Sequence, residues 1–192
     1  MSSREPLTLR TPRLLLRPWR EEDADAFAAM FADPKVMEFL GPAQDRAAID
    51  AAIARIAAHF AAHGFGWWAV EAPGVAPFIG WIGLAVPRFD APFMPAVEVG
   101  WRLASAHWGK GYATEGARAA LRAGFTTFGL DEIVAFTVPA NARSLRVMER
   151  LGMIRDAAGD FDHPRLAEGD PLRRHVLYRI GRDRWQELAG RH

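Results

Sequence analysis

A strand, a glycine turn and a helix follow one another between residues 96 and 128, and this succession constrains the fold more than any other part of the chain. The strand reads AVEVGWRLA (96–104), the turn contains Gly109-Lys110-Gly111, and the helix repeats small and apolar residues at helical spacing over about 112–128. A helix that follows a strand in this way packs back onto the sheet and leads to a parallel neighbour. The sequence therefore predicts a parallel β-α-β crossover.

The remaining predicted elements place this crossover in a mixed sheet. Strands clustered before a single crossover indicate an α/β (α+β) fold: a mixed, mostly antiparallel sheet flanked by helices, with a β-α-β-α second half. Because neither a repeat nor a linker interrupts the order, we expect one domain over residues 1–192. In chain order the sequence predicts a strand at 13–19, helices at 21–33 and about 44–62, a hairpin at 65–72 and 77–86, a strand at 132–138, a helix at 142–151, a strand at 175–180 and a short helix at 183–188.

Composition excludes several classes of function. The chain has no cysteine, which excludes disulfides, thiolate metal sites and cysteine nucleophiles. Its net charge of +1 provides no field that would gather nucleic acid or an anionic membrane. The N-terminal MSSREPLTLR lacks an apolar signal core, and Asp50, Arg55 and His59 interrupt the Ala-rich run at 47–62. We therefore expect a cytoplasmic protein, monomeric or homodimeric, without a membrane span.

Three phosphate-binding templates compete for the glycine turn. A Walker loop needs a glycine where Ala104 stands and a Ser or Thr where Gly111 stands, so that template fails. A dinucleotide fingerprint lacks its third glycine, because that position holds Thr114, and it belongs to repeated βαβ units. The third template is a coenzyme A loop. The structural alternative to all three is an ordinary strand-to-helix turn, with Trp108 packed on the core.

The templates share one physical basis. Glycines let main-chain N–H groups approach a diphosphate closely, and the N-terminus of the following helix adds roughly half a positive charge. Lys110 would add a cation at the rim of such a site.

The loop and the second half of the chain together resemble the GNAT acyltransferases. The coenzyme A loop of that superfamily, broadly Q/R-x-x-G-x-G/A, aligns with residues 106–111, where Ala106 replaces the usual Gln or Arg. TVPANARSLRVMERLGMIR resembles the superfamily's N-x-x-S helix and the turn after it. TPRLLLRPWREEDADAFAAMFADPKVMEFL resembles the opening of the RimJ/RimL-type branch, which acetylates protein N-termini and other amines, and FDHPRLAEGDPLRRHVLYRI resembles the tail of its relatives. The similarity covers about residues 10–180 in the same order.

The resemblance implies an N-acetyltransferase that uses acetyl-CoA as cosubstrate and needs no metal. The acetyl group would pass to a primary amine, either a protein N-terminus or a small molecule, by direct attack in a ternary complex. Asn141 and Ser144 would lie near the pantetheine and the thiol. The implied coenzyme A-binding residues are Val99, Gly100, Trp101, Trp108, Gly109, Lys110, Gly111, Tyr112, Ala113, Thr114, Asn141 and Ser144.

The strand at 96–104 supplies the candidate catalytic base. Alternation places Glu98, Gly100 and Arg102 on one face, and a carboxylate beside a glycine on a central strand indicates a substrate cleft above that face. We expect Glu98 to accept the amine proton, with a pKa raised by burial; the alternative is a structural, salt-bridged carboxylate. Main-chain N–H groups near Val99 to Trp101 would stabilise the oxyanion.

The general acid depends on the helix after Asn141. Many relatives carry a tyrosine where this chain has Met148, which cannot donate a proton. Either Ser144 protonates the leaving thiolate, or the thiolate leaves unassisted, as a thiol of pKa about 8.5 allows. Asn141 is also a good N-cap for this helix, and Ser144 a partner within its first turn, and such structural roles are compatible with ligand binding.

The acceptor leaves few traces in the sequence. The segment 155–173 is rich in acids and would close over the acceptor and attract its amine. Two other functions stay open: a non-catalytic acyl-CoA-binding or regulatory module, favoured by Met148 and Ala106, and a dinucleotide-binding oxidoreductase, disfavoured by Thr114. The aromatic residues that line either an acceptor groove or the core are Trp67, Trp68, Trp81, Phe89 and Phe93.

Overall fold

The computed structural model of the chain describes residues 7–41 and 45–190, and these form two compact units. The first unit comprises the chain up to Ala85 together with Gly100–Ala120, and the second comprises Val86–Val99 together with the chain from Leu121 onwards. The elements are β1 (Leu9–Arg10), β2 (Leu15–Arg17), α1 (Asp23–Ala32), α2 (Pro34–Met37), α3 (Arg46–His63), β3 (Trp67–Ala72), β4 (Ala76–Ala85), β5 (Glu98–Leu103), α4 (Tyr112–Thr126), β6 (Glu132–Thr137), α5 (Ala142–Arg150), β7 (Ile154–Asp162), β8 (Arg174–Gly181) and α6 (Arg182–Ala189).

The first unit is an antiparallel sheet covered by helices. β1, β2, β3 and β4 pair in sequence order, with Leu16 opposite Val70 in the β2–β3 ladder. β5 follows β4, and the main-chain N–H of Ala104, just after β5, donates to the carbonyl of Ile79 at 2.9 Å. Helices α1 and α3 contact each other, and their apolar residues join the sheet in one cluster. This core contains Phe27, Met30, Phe31, Val36, Met37, Ile49, Ala69 and Phe78.

A buried arginine joins four segments of this unit. The Arg17 side chain is only 3% exposed, yet every N–H of its guanidinium has an acceptor. Nη1 and Nη2 donate to the two carboxylate oxygens of Asp23 at 2.8 Å, and Nε donates to Glu71 at 3.0 Å. The carbonyls of Pro18 and Pro77 accept the other two N–H groups. These bonds compensate the desolvation of the charge and connect β2, α1, β3 and β4.

The second unit contains the parallel strand pair that the sequence predicts. β5 and β6 run parallel with Glu98 opposite Val134, whose N–H donates to the carbonyl of Val97 at 2.9 Å. β6 pairs antiparallel with β8, and β8 pairs antiparallel with β7. The mixed, mostly antiparallel sheet with flanking helices is therefore confirmed. The core of this unit contains Phe93, Val134, Phe161 and Leu177, with Phe89, Ala91, Met94, Ala96 and Phe136 packed against it.

Most predicted helices and the hairpin are present within a few residues of their expected bounds. α3 ends at Gly64, whose φ of 77° is the left-handed conformation of a helix C-cap, and Gly152 has φ 78° after α5. The predicted start of α3 at residue 44 and the first six residues of the N-terminal segment lie outside the described residues. In residues 7–41 and 45–190, no helix is both long enough and apolar enough to cross a membrane.

Two sequence predictions need correction. The single strand expected at 13–19 is instead β2, preceded by the short strand β1, because the chain turns back where Thr11 Oγ1 accepts the Leu14 N–H at 2.9 Å. The segment 155–173, expected as an acidic loop over the acceptor, begins with strand β7, which extends to Asp162, so only residues 163–173 form a loop before β8. The three acids of β7 have basic partners: Asp156 pairs with Arg179, Asp160 with Arg155, and Asp162 with Arg173 and Arg174. These partners neutralise the acids on the strand, whereas Glu168 and Asp170 in the loop form no ion pair with a described residue.

Candidate functional site

The glycine turn of the first unit is exposed and adopts a backbone that requires glycine. Gly109 has φ 75° and Gly111 has φ 81°, both in the left-handed region that side chains disfavour. Gly109, Lys110 and Gly111 are exposed, and α4 begins immediately afterwards at Tyr112. Apart from its two chain neighbours, no described residue would have an atom within 4 Å of a Cβ placed on Gly109. The turn therefore presents its main chain to an open space.

The main-chain N–H groups of this turn have no acceptor in the part of the chain that the structure describes. No hydrogen bond there has the N–H of any residue from Gly109 to Thr114 as donor. The first intrahelical bond is donated by Glu115, whose N–H reaches the carbonyl of Gly111 at 3.0 Å. Successive free N–H groups at a helix N-terminus form a concave site for an anion. The residues thus fit the diphosphate of coenzyme A.

A side chain that the sequence reasoning missed holds the turn from its other side. Arg13, just before β2, donates from Nη1 to the carbonyl of Lys110 at 2.9 Å and from Nε to Glu115 at 2.6 Å. Its guanidinium also lies over the Tyr112 ring, 4.9 Å from the centroid. Thr11 Oγ1 and the Arg13 N–H both donate to Glu115 Oε1. Arg13 therefore binds the carbonyl of Lys110, while the N–H groups of the turn stay available to a ligand.

Trp108 and Lys110 differ in whether their side chains are available to bind a ligand. The Trp108 indole N–H donates to the Leu103 carbonyl at 2.8 Å, its main-chain N–H donates to Ser105, and its ring packs against the core. Trp108 therefore has the core-packing role that the sequence left open as an alternative. Lys110 is exposed, and no carboxylate among residues 7–41 and 45–190 forms an ion pair with it.

Glu98 of the second unit has the environment expected of a proton acceptor. Glu98 is only partly exposed, and burial of its carboxyl group raises the pKa to about 8. No described arginine, lysine or histidine pairs with it, so the salt-bridged alternative is not realised. A carboxyl whose pKa lies near that of an amine can exchange a proton with it at little free-energy cost.

Asn141 of the second unit is the N-cap of α5. Its Oδ1 accepts the Ser144 N–H at 3.2 Å, and its Nδ2 donates to Thr137 Oγ1 at 3.0 Å. The Ser144 hydroxyl has no hydrogen-bond partner among the described residues and is partly exposed. Met148 is 1% exposed and packs in the core. Of the polar groups on α5 that the sequence singled out, the Ser144 hydroxyl is thus the one left without a partner in the described chain.

The space above Gly100 is filled by protein, which corrects the expectation of a cleft directly over this glycine. A Cβ on Gly100 would lie 2.9 Å from Cη2 of Trp67. The Trp67 and Trp81 rings contact each other with their centroids 4.5 Å apart. Gly100 therefore makes room for an indole. The neighbouring Val99 is 2% exposed, and Trp101 is partly buried.

The other aromatic candidates separate into core and partly exposed residues. Trp68 is fully buried, and its indole N–H donates to the Leu7 carbonyl at 2.5 Å. Phe93 belongs to the core of the second unit, and Phe89 packs against that core. Within residues 7–41 and 45–190, no group of His, Asp and Glu side chains is arranged to hold a metal ion.

Comparison with known proteins adds independent findings. Residues 13–154 match the family described as Acetyltransferase (GNAT) domain. The FsC-acetyl coenzyme A-N(2)-transacetylase of Aspergillus fumigatus is 32% identical over 192 residues, which cover 94% of this chain and 79% of that protein. The crystal structure of an acetyltransferase from Agrobacterium tumefaciens has a TM-score of 0.72 and 30% identity, covering 91% of this chain and 94% of its own.

One similar solved structure contains a ligand. Mycobacterium smegmatis RimJ, in complex with CoA-disulfide, superposes with a TM-score of 0.74 at 22% identity, covering 97% of this chain and 95% of its own. At that identity the likeness concerns the fold.

Proposed function

This chain belongs to the GNAT acetyltransferase family and is an acyltransferase, and we propose that it transfers an acetyl group from acetyl-CoA to a primary amine. The amine attacks the thioester carbonyl directly, so a nitrogen–carbon bond forms, the carbon–sulfur bond breaks, and one proton leaves the amine. The A. fumigatus relative is named as an N(2)-transacetylase that uses acetyl coenzyme A, and this supports nitrogen as the acceptor atom.

The observation that carries the proposal is the set of free main-chain N–H groups from Gly109 to Thr114. A diphosphate placed there receives hydrogen bonds from the turn and the favourable field of the α4 N-terminus. Lys110 adds a positive charge at the rim. RimJ of M. smegmatis has the same fold and is in complex with CoA-disulfide, which supports coenzyme A as a ligand of this fold.

Glu98 is the residue that we propose to accept the amine proton. An acceptor α-amine has a pKa of about 7.7–8.0, close to the pKa of about 8 of Glu98, so the transfer is nearly balanced. No described residue forms an ion pair with this carboxylate, so no neighbouring cation lowers its pKa. Main-chain N–H groups of β5 near Val99 to Trp101 are the proposed donors to the oxyanion.

Ser144 is the proposed hydrogen-bond donor to the departing thiolate. Its hydroxyl has no protein partner in the described chain, and Met148 on the same helix has no proton to give. Asn141 contributes by holding the first turn of α5, because its Oδ1 binds the Ser144 N–H.

Two measurements on the full chain test this function. Calorimetry with acetyl-CoA and with NAD(P) tests the ligand of the turn, and binding of NAD(P) without binding of acetyl-CoA would exclude the proposal. Thiol release detected with 5,5′-dithiobis(nitrobenzoate), over a panel of amines and peptides, tests turnover. Binding of acetyl-CoA with no acceptor-dependent thiol release across the panel would instead favour the alternative of a non-catalytic acyl-CoA-binding module.

A further inference from the structure

Arg102, near the end of β5 in the first unit, contacts two aromatic rings. Its guanidinium carbon lies 4.8 Å from the centroid of the Phe31 ring and 5.3 Å from the centroid of the Trp81 ring. Phe31 is buried, whereas Trp81 and Arg102 are partly exposed. Stacking on an aromatic ring occupies a face of the guanidinium and leaves its edges, which carry the N–H donors.

The charge of Arg102 has no counter-ion in the part of the chain that the structure describes. No carboxylate there forms an ion pair with it, and no hydrogen bond from its guanidinium is present. Burial lowers the pKa of Arg102 to about 10, which still leaves it protonated at neutral pH. Arg17 of the same unit differs from Arg102, because the carboxylates of Asp23 and Glu71 both accept hydrogen bonds from its guanidinium. Arg102 is thus a partly desolvated cation with its donors unused.

The carboxylate of Asp33, two residues after Phe31, is bound by groups other than Arg102. Asp33 Oδ2 accepts the hydroxyl of Ser105 at 2.5 Å, and Oδ1 accepts the N–H of Lys35 at 2.9 Å. These bonds join the chain just after Phe31 to the chain just after Arg102.

The exposed edge of a guanidinium fits a planar carboxylate, which it binds through two parallel N–H···O bonds. Arg102 lies four positions after Glu98 along β5. We infer that the acceptor of this enzyme is an amine that also carries a carboxylate, and that Arg102, in contact with Phe31 and Trp81, is the specificity residue that binds this carboxylate. The inference rests on the proposed function, because it names the class of its acceptor.

The test compares acceptors in matched pairs that differ only in the carboxylate. Triglycine is paired with triglycinamide, and ε-aminocaproate with its amide, because in these compounds the carboxyl group is too far from the amine to change the amine pKa greatly. Thiol release gives KM and kcat for each compound, and calorimetry with the CoA-bound protein gives binding without turnover. We expect the acids to have a KM lower than the amides by roughly tenfold or more, with similar kcat.

Variants assign the preference to Arg102. Arg102→Gln should bring the acid-to-amide ratio of KM close to one, and Arg102→Lys should leave a smaller preference, because a lysine keeps the charge and loses the planar pair of donors. Arg122→Gln removes an equally positive but exposed side chain on α4 and should keep the full preference. Trp81→Leu, which removes one stacking ring, should reduce the preference in the same direction if Arg102→Gln does not fold.

Each outcome is decisive. Equal KM values for acid and amide in the wild-type protein, or a preference that Arg102→Gln leaves intact, overturn the inference. Absence of thiol release together with acid-selective binding that Arg102→Gln abolishes would retain the carboxylate site and reject the proposed transfer to these amines. Absence of both thiol release and acid-selective binding overturns the inference, whereas acetyl-CoA binding measured in the same samples reports on the glycine turn separately.

Discussion

The guanidinium of Arg13 donates a hydrogen bond to the main-chain carbonyl of Lys110 at 2.9 Å, although the two residues are 97 positions apart. Because the same guanidinium binds Glu115 in the first turn of α4, it fixes both the turn and the start of the helix. The free N–H groups between these two contacts are thereby oriented before any ligand arrives, which reduces the ordering cost of binding.

Arg13→Ala should therefore weaken coenzyme A binding without unfolding the protein. Loss of a hydrogen bond of about 1 kcal/mol corresponds to about a fivefold higher Kd for acetyl-CoA, measured by calorimetry. Arg10→Ala, which removes another exposed arginine from β1, serves as the control and should leave the Kd unchanged. An unchanged Kd for Arg13→Ala would mean that the turn is rigid without its clamp.

Gly109 and Gly74 provide a matched pair for the role of the turn. Both have φ 75°, and a Cβ on either residue would meet no atom of the described residues within 4 Å, apart from those of its chain neighbours. Gly109→Ala and Gly74→Ala should each lower the free energy of unfolding by about 1 kcal/mol, because alanine disfavours positive φ. Only Gly109→Ala should also raise the Kd for acetyl-CoA, by about tenfold, since its methyl group enters the space proposed for the diphosphate. Equal effects of both variants on the Kd would argue against this placement.

Glu98→Gln should lower turnover by about a hundredfold or more while the Kd for acetyl-CoA stays the same. The carboxylate is the active form of a base, so its contribution should rise about tenfold per pH unit and level off near pH 8, its pKa. The ratio of kcat/KM for wild type and Glu98→Gln, followed from about pH 6 to pH 9, isolates this contribution because the amine titrates equally in both. A ratio that is flat with pH would remove Glu98 as the base.

The same residue should make stability depend on pH. The pKa of Glu98 is raised from 4.5 to about 8 in the folded state, so the unfolded chain releases this proton first and stability falls as pH rises from about 4.5 to 8. Glu98→Gln removes that loss, and its free energy of unfolding should exceed that of wild type by roughly 2–4 kcal/mol above pH 8 and by little at pH 4. Denaturant unfolding at the two pH values measures the difference, which should vanish if the carboxyl is well hydrated.

Asn141 and Ser144 should separate into a structural and a chemical role. Asn141→Ala removes the N-cap of α5 and should cost about 1 kcal/mol of stability, measured by denaturant unfolding. Ser144→Ala removes a hydroxyl without a described partner and should leave stability unchanged while lowering kcat by about tenfold. Full activity of Ser144→Ala would show that the thiolate leaves without an acid.

Local patterns predicted the elements whose signal is contained in a short window. The β3–β4 hairpin, α4 and α5 have alternating or helical periodicity with glycine or asparagine at their ends, and all are present. β7 was missed because it pairs with β8 alone and exposes most of its residues, so its sequence reads as a polar loop. The acids of β7 made the segment look like a polar loop. Their arginine partners lie on β7 itself, on β8 and just before β8, and the sequence does not show these pairings.

The parts of the site that depend on distant residues could not be read from the sequence. The pattern around Gly109 and Gly111 indicated the turn and its exposed main chain, but nothing near Arg13 indicates that it binds the Lys110 carbonyl. Similarly, the glycine at position 100 predicted a substrate cleft, but a neighbouring side chain fills the space beside it. Only the three-dimensional structure identifies the occupant as the indole of Trp67, from the hairpin that precedes β5.

The buried Arg17 network has an evolutionary consequence. Loss of either acidic partner would leave a cation stranded in the interior, and lysine cannot replace the arginine because it has too few donors for the acceptors present. Positions 17, 23 and 71 are therefore expected to be inherited as a block among descendants of a common ancestor, either all retained or all exchanged together for apolar residues.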